Sequence, residues 1–324
     1  MPASPQHGPR IVVLGGTGQL GAALARAGGP DVRALSRAAA DVTDAAALRS
    51  ALVAARADIV INAAAYTAVD RAESEPGPCF AVNRDGAGNA ASVCAALGIP
   101  LVHLSTDYVF DGRKGAPYLE NDARNPLNAY GAAKAAGEDL VLARHERAII
   151  LRTAWLFGLD RPNFVRTVMR LALAGRPLRF VADQHGSPTP APGLARVVLA
   201  MAARLHEGTA RGGIVHAAGA PHATWHDVAS SAVAAVFPAW QRPPVAAITT
   251  DAYPTPARRP ADTRIDCTRL RTEHGIEVPD WVRALPRLAA ALAAQEADRL
   301  RSEAASEVSA RPSLQPAPAL HAGE

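Results

Sequence analysis

The stretch Ile11-Val12-Val13-Leu14-Gly15-Gly16-Thr17-Gly18-Gln19-Leu20-Gly21 decides the architecture. Its first four residues are apolar and mostly β-branched, which predicts a short buried strand. Gly15, Gly18 and Gly21 recur every third residue and form a turn. A helix is expected from about Gln19 to Ala27, stopped by Gly28-Gly29. The order strand, glycine-rich turn, helix opens a dinucleotide-binding unit. Small residues there let the backbone approach a pyrophosphate at a helix N-terminus, where free N–H groups and the helix dipole favour anions. The spacing is G-x-x-G-x-x-G rather than the commoner G-x-G-x-x-G. Alone it is a weak signal, and its place at the head of an alternating series gives it weight.

The alternation continues along the chain. Val32 to Leu35, Ile59 to Ala63, Leu101 to Ser105 and Ile149 to Thr153 read as strands. Ala45 to Arg56, Cys79 to Leu97 and Asn128 to Arg144 read as helices between them. Near-continuous apolar strands separated by helices predict an α/β fold, a doubly wound parallel Rossmann sheet. After Trp155 prolines interrupt the rhythm, and Gly193 to Leu205 and Gly213 to Ala218 then restore a helix and a strand. A dinucleotide-binding domain is therefore expected from residues 1–160 and 193–218. A smaller, discontinuous substrate domain is expected from 161–192 and 219–300. Residues 301–324, rich in Ala, Ser, Pro and Glu, read as a disordered tail.

Composition narrows the function class. About half of the 324 residues are hydrophobic and 20 % are charged, enough for a core and too few charges for a disordered chain. No apolar run approaches the length of a membrane span. Met1 to Pro9 lack the apolar centre of a signal peptide, so a cytoplasmic location is expected. The net charge of +4 is scattered, which speaks against nucleic acid and suits an anionic small molecule. Cys79, Cys94 and Cys267 have no metal-type spacing and read as buried thiols. His222-x-x-x-His226 has helical zinc spacing, yet Thr224 with Asp227 starts a helix that leaves His222 outside it.

Of 34 basic residues only Lys114 and Lys134 are lysines, so each raises the question of what an amine does there that a guanidinium cannot. Tyr130 and Lys134 lie one helical turn apart on one face. An ammonium beside a phenol stabilises the phenolate and lowers its pKa, which suits a tyrosine acid. Ser105-Thr106-Asp107-Tyr108 follows a strand at its carboxyl end, where polar groups face the ligand crevice. The second strand ends in Ser36-Arg37, with Asp41-Val42 beyond. A basic residue at that place accommodates the 2′-phosphate of NADP, so NADPH is the expected cofactor with NADH also accepted. Asp41 is placed to meet the adenine amino group. Arg258-Arg259-Pro260 with Arg264 reads either as a surface cluster or as a phosphate contact.

Gly-x-x-Gly, Thr106 and Tyr130-x-x-x-Lys134 together resemble the extended short-chain dehydrogenase/reductases. Finer strings narrow this: Gly18-Gln19-Leu20-Gly21, Asn62 to Asp70, Ser105 to Gly112, Pro126 to Gly131, Arg152-Thr153-Ala154-Trp155 and Asp183 to Thr189. In order along residues 10 to 295, they resemble the dTDP-4-dehydrorhamnose reductases. The resemblance implies reduction of the 4-keto group of dTDP-4-dehydro-L-rhamnose. It implies Tyr130 as proton donor, Lys134 as its activator and a cofactor contact, and Thr106 as the residue tuning the phenol. Thr106, Asp107 and Trp155 would touch the sugar. By the same resemblance Gly18, Gln19, Leu20, Asp41, Val42, Ala65, Tyr66 and Thr67 would contact the cofactor, with Tyr130 and Lys134, joining Gly15, Gly21, Ser36 and Arg37 read from the turn and the strand end. His185 departs from an aromatic common in the family. Ala22 and Ala23 stand where some relatives carry a Glu serving a metal-linked dimer, so no metal is expected. A dTDP-sugar substrate and a monomer or homodimer follow. Another sugar-nucleotide enzyme on this frame, an epimerase or dehydratase, stays open, as does a non-catalytic regulatory subunit.

Overall fold

A computed structural model describes residues 8–309. The chain runs β1 (Ile11–Leu14), α1 (Gln19–Gly28), β2 (Val32–Leu35), α2 (Ala45–Ala54), β3 (Ile59–Asn62), α3 (Val69–Ser74), α4 (Pro76–Phe80), α5 (Gly86–Leu97), β4 (Leu101–Thr106), α6 (Ala129–Arg144) and β5 (Ala148–Thr153). Shorter pieces follow: β6 (Leu156–Phe157), α7 (Phe164–Leu173), β7 (Leu178–Val181), β8 (His185–Gly186), β9 (Thr189–Pro190) and α8 (Ala191–His206). Then come β10 (Gly213–His216), β11 (Ala223–Thr224), α9 (Trp225–Val236), β12 (Val245–Ile248), α10 (Thr268–His274) and α11 (Trp281–Ser309).

Six strands form one parallel sheet in the order β2-β1-β3-β4-β5-β10. Every residue of β1, β3 and β4 is buried, as expected for strands covered on both faces. Alternation sends Ile11 and Val13 against α1 and α8, where Leu24, Leu194, Val198 and Met201 pack. Val12 and Leu14 point the other way, against Leu48 and Leu52 of α2 and Cys94 of α5. Truncating Leu14, fully buried, to Ala would cost about 2–5 kcal/mol. The strand order reverses at β1: the chain steps out to β2 and returns across β1 to β3. The crevice beyond the carboxyl ends of β1 and β3 is the switch point where such sheets bind ligands.

A separate apolar cluster joins Val165, Val168 and Met169 of α7, Val228 and Val233 of α9, and Trp281, Leu285 and Leu292 of α11. Two readings of the sequence need correction. The helix expected from Cys79 to Leu97 is broken by a π turn at Ala81–Asp85 between α4 and α5. That turn aims Asn83 at the 65–67 segment, accepting from the Tyr66 N–H at 3.0 Å and donating to its carbonyl at 2.9 Å. The stretch read as a disordered tail begins within α11, which continues to Ser309. Its remainder, residues 310–324, and residues 1–7 lie outside the described residues. Among the described residues no helix is long and apolar enough to cross a membrane.

Candidate active site

The glycine turn lies at the crevice because only glycine fits there. Gly15 has φ +76°, and a Cβ on it would approach the backbone of Ala64, just past β3, to 2.7 Å. A Cβ on Gly21 would meet the Gly15 carbonyl at 2.3 Å. The turn is closed by the Gly18 N–H on the Gly15 carbonyl at 2.9 Å, and the Gly16 N–H ties it to the end of β2 through the Leu35 carbonyl at 2.7 Å. No side chain caps the N-terminus of α1, so its N–H groups remain available to an anion. Gln19 leans away, donating to the Leu156 carbonyl at 2.9 Å. At the end of β2 the exposed Arg37 turns back on Asp41 at 3.0 Å. Thr43 holds Asp41 from the other side through its N–H and hydroxyl, and these bonds hold the carboxyl below its usual range. The Val42 carbonyl accepts from Asn89 at 3.0 Å.

The polar cluster forms where β4 ends against α6. Asn128 caps α6 by accepting from the Gly131 N–H at 2.8 Å, which sets Tyr130 and Lys134 toward the sheet. Lys134 is buried and donates to the Leu104 carbonyl of β4 at 2.6 Å. Burial pushes its amine down to about 8, against the pull of Glu138 and Cys79. Tyr130 stands edge-on to Tyr108 at 6.0 Å. The expectation that Lys134 depresses its pKa does not hold: burial drives the phenol upward, and the Thr106 hydroxyl is what opposes this. Lys134 spends its charge on a backbone carbonyl. Thr106 donates to Asp107 at 3.0 Å, and Thr263 donates to the other Asp107 oxygen at 2.5 Å. Burial without a cation partner pushes Asp107 up to about 7.

An apolar wall faces this cluster. Trp155 adopts φ +41°, one of two non-glycine residues with positive φ among those described, and stacks on Trp225 at 3.6 Å and 7°. Gly186 leaves room for it: a Cβ there would lie 2.2 Å from the indole. Trp225 borders a cleft of about 500 Å³ that also carries Asp70, Phe164, Arg179, Gln184 and Arg259. Arg259 donates to the Tyr108 hydroxyl at 3.0 Å and to Asp70 at 2.9 Å. Of the basic cluster read from the sequence, Arg259 alone lines the cleft; Arg264 forks onto Asp262. His222 and His226 separate as expected, contacting the carbonyls of Ile265 and Val245 across the Thr224–Asp227 capping box. Among the described residues no cluster of His, Cys, Asp and Glu is placed to hold a metal ion.

Residues 9–294 match the family described as "RmlD substrate binding domain". A dTDP-4-dehydrorhamnose reductase from Sinorhizobium fredii is 40% identical over 288 residues, covering 87% of this chain and 97% of that one. One from Aggregatibacter actinomycetemcomitans is 40% identical over 290 residues, covering 87% and 98%. The chain belongs to the dTDP-4-dehydrorhamnose reductase family. A crystal structure of the family's member from Bacillus anthracis, in complex with NADP, superposes with a TM-score of 0.80 at 31% identity, covering 87% of this chain and 99% of that one. The family's parallel sheet and flanking helices are those described above.

Reading the sequence brought Thr106, Asp107, Tyr130 and Lys134 together, and the fold does so. It missed Thr263, Trp225 and the pair Glu138–Arg152. Only Glu138 left a local signal, one turn past Lys134 on the same face of α6. The others meet the site through long-range packing that spacing does not report.

Proposed function

We propose that this chain, an oxidoreductase of that family, reduces the C4 keto group of dTDP-4-dehydro-L-rhamnose to give dTDP-L-rhamnose. The observation that carries the reading is the assembly of Tyr130, Lys134 and Thr106 at the crevice end of β4, between a glycine turn and an apolar cleft. The turn fits a dinucleotide: Gly15 and Gly21 leave space that a Cβ would fill. Gly15, Gly18, Gln19, Leu20 and Gly21 would hold it there, with Ala65, Tyr66 and Thr67 across the crevice. When bound, a reduced nicotinamide supplies hydride for C4.

The chain's own residues do the rest. Tyr130, kept protonated by its burial, gives the phenolic proton to the C4 oxygen. Thr106 accepts or donates beside that oxygen and favours the phenolate left behind. Lys134 places a positive charge one turn from the phenolate and holds the cofactor. Asp107 and Trp155 orient the sugar, the indole offering a flat apolar face. Residues 1–160 and 193–218 form the cofactor domain in this reading, and 161–192 with 219–300 the substrate domain.

NADPH is the preferred cofactor, supported by Ser36-Arg37 at the end of β2 and by the absence of an acidic residue at that place. NADH is also used, because Arg37 is 77% exposed and already paired with Asp41. A cytoplasmic monomer or homodimer is the accompanying assignment, with three free, buried thiols suited to a reducing compartment. Tyr130→Phe tests the reading: turnover should fall about 10²- to 10⁴-fold with cofactor affinity unchanged. Near-normal turnover would remove Tyr130 from the role of acid.

A further inference from the structure

Glu138 stands one turn beyond Lys134 on α6 and is fully buried. Both its oxygens are taken by Arg152 of β5, whose Nε donates at 2.9 Å and Nη2 at 2.7 Å. Arg152 is itself buried, its guanidinium 5.0 Å from the Phe110 ring centroid and donating to the Glu120 carbonyl at 3.2 Å. The Ser105 hydroxyl adds a bond to the same carboxylate at 2.5 Å, and Arg124 adds another at 3.1 Å. Ser105 immediately precedes Thr106, and the residue before it, Leu104, accepts from Lys134. One carboxylate thus ties the end of β4, the end of β5 and the helix that carries Tyr130 and Lys134.

A buried bidentate pair is a poor device for stability alone, since apolar residues of similar volume often serve as well. Its position suggests another use. The groups that act on the Lys134 amine are Glu138 on its own helix, the Cys79 thiol of α4 and the His103 imidazole of β4. Burial holds His103 neutral and raises the Cys79 thiol. Glu138 is the side chain of this set that also grips the strand to which the amine donates, through the Ser105 hydroxyl next to Leu104. We propose that Glu138 is a positioning residue for the reaction: through Ser105 it holds the end of β4, and with it Thr106 and the Leu104 carbonyl that Lys134 bonds, against the helix carrying Tyr130 and Lys134, with Arg152 as its buried counter-ion. The inference rests on the assignment of Tyr130 and Lys134 above. Against it stands a purely structural pair, which would affect stability and leave the amine untouched.

The composition offers a direct test. The chain holds two lysines, so ¹³C labelling at the lysine ε-carbon gives two resonances, and Lys134→Arg assigns them. In the wild type Lys134 should titrate near 8. In Glu138→Gln its midpoint should fall by about one pH unit, with Lys114 unmoved. The alkaline limb of kcat should shift down with it, and KM for the sugar nucleotide should stay within about twofold. If the single variant fails to fold around the unpaired Arg152, Glu138→Leu with Arg152→Met decides. That pair should fold, lower the Lys134 midpoint and lose about tenfold in kcat. A wild-type Lys134 titration in whichever variant folds overturns the proposal. An active Tyr130→Phe variant would instead overturn the reading beneath it, while the lysine titration still reports on Glu138.

Discussion

Gly186→Ala is a one-carbon change at a position the chemistry never touches, and it should impair sugar binding. The added Cβ would sit 2.2 Å from the Trp155 indole, with further ring atoms at 2.5 and 2.6 Å. Ordinary contact requires the ring to retreat by about 1 Å or the β8–β11 pairing to open. The ring is not free to do so, because it lies flat on Trp225 at 3.6 Å and its backbone is held at φ +41°. Trp225 is in turn held by its N–H on Gln184 at 3.2 Å. Overpacking of this kind costs about 1–3 kcal/mol, and disturbing the aromatic pair another 0.5–1.5 kcal/mol or so. Urea unfolding should therefore show a loss of about 1.5–4.5 kcal/mol. If Trp155 orients the sugar, KM for the sugar nucleotide should rise about tenfold, equivalent to about 1.4 kcal/mol, with KM for the cofactor little changed. A destabilised variant with a wild-type KM for the sugar nucleotide would place Trp155 in the structural core and remove it from the sugar site.

Other outcomes are equally specific. Lys134→Arg keeps the charge but replaces a compact ammonium with a wide fork inside a buried site, so activity and cofactor affinity should both drop sharply; wild-type kinetics would show that the amine is ornamental. Lys134 also sets a pH dependence of stability. The unfolded chain holds that proton up to about 10.5 and the native one releases it near 8, so between these values the native state binds fewer protons and stability rises with pH. The difference corresponds to about 3 kcal/mol, and Lys134→Met should gain it at neutral pH and flatten the profile in urea titrations. For Arg37→Ala, a charge-assisted phosphate bond of about 1.5–3 kcal/mol is offset by the exposed Asp41 pair, worth about 0–1 kcal/mol. NADPH affinity should thus fall by roughly two- to a hundredfold while NADH affinity holds; equal losses would mean that Arg37 does not read the 2′-phosphate.

The parts of this site that were legible are those in which local sequence and local geometry coincide. Gly15 and Gly21 are glycines because backbone lies within 3 Å of where a side chain would start. Tyr130 and Lys134 share a face because a helix repeats every 3.6 residues. The Thr224–Asp227 capping box was readable for the same reason. Thr263, Trp225 and Arg152 were not, because each reaches its partner across many residues of chain through contacts no periodicity encodes. The π turn at Ala81–Asp85 was hidden because its residues, AVNRD, include no proline or glycine and suit an unbroken helix equally well. The tyrosine's acidity was misjudged for a different reason. Sequence shows which charges are near, whereas burial depends on the whole fold, and here burial is the largest influence on the phenol, opposed by the Thr106 hydroxyl.

Delivery of hydride and a proton to a 4-keto sugar nucleotide can be followed by incubating the purified protein with dTDP-4-dehydro-L-rhamnose and NADPH, recording nicotinamide absorbance and identifying the sugar product. One NADPH should be oxidised for each dTDP-L-rhamnose formed, and both signals should be lost in Tyr130→Phe. Conversion of the sugar without net consumption of NADPH, as an epimerase or dehydratase would give, or no conversion at all by the folded protein, would contradict this chemistry.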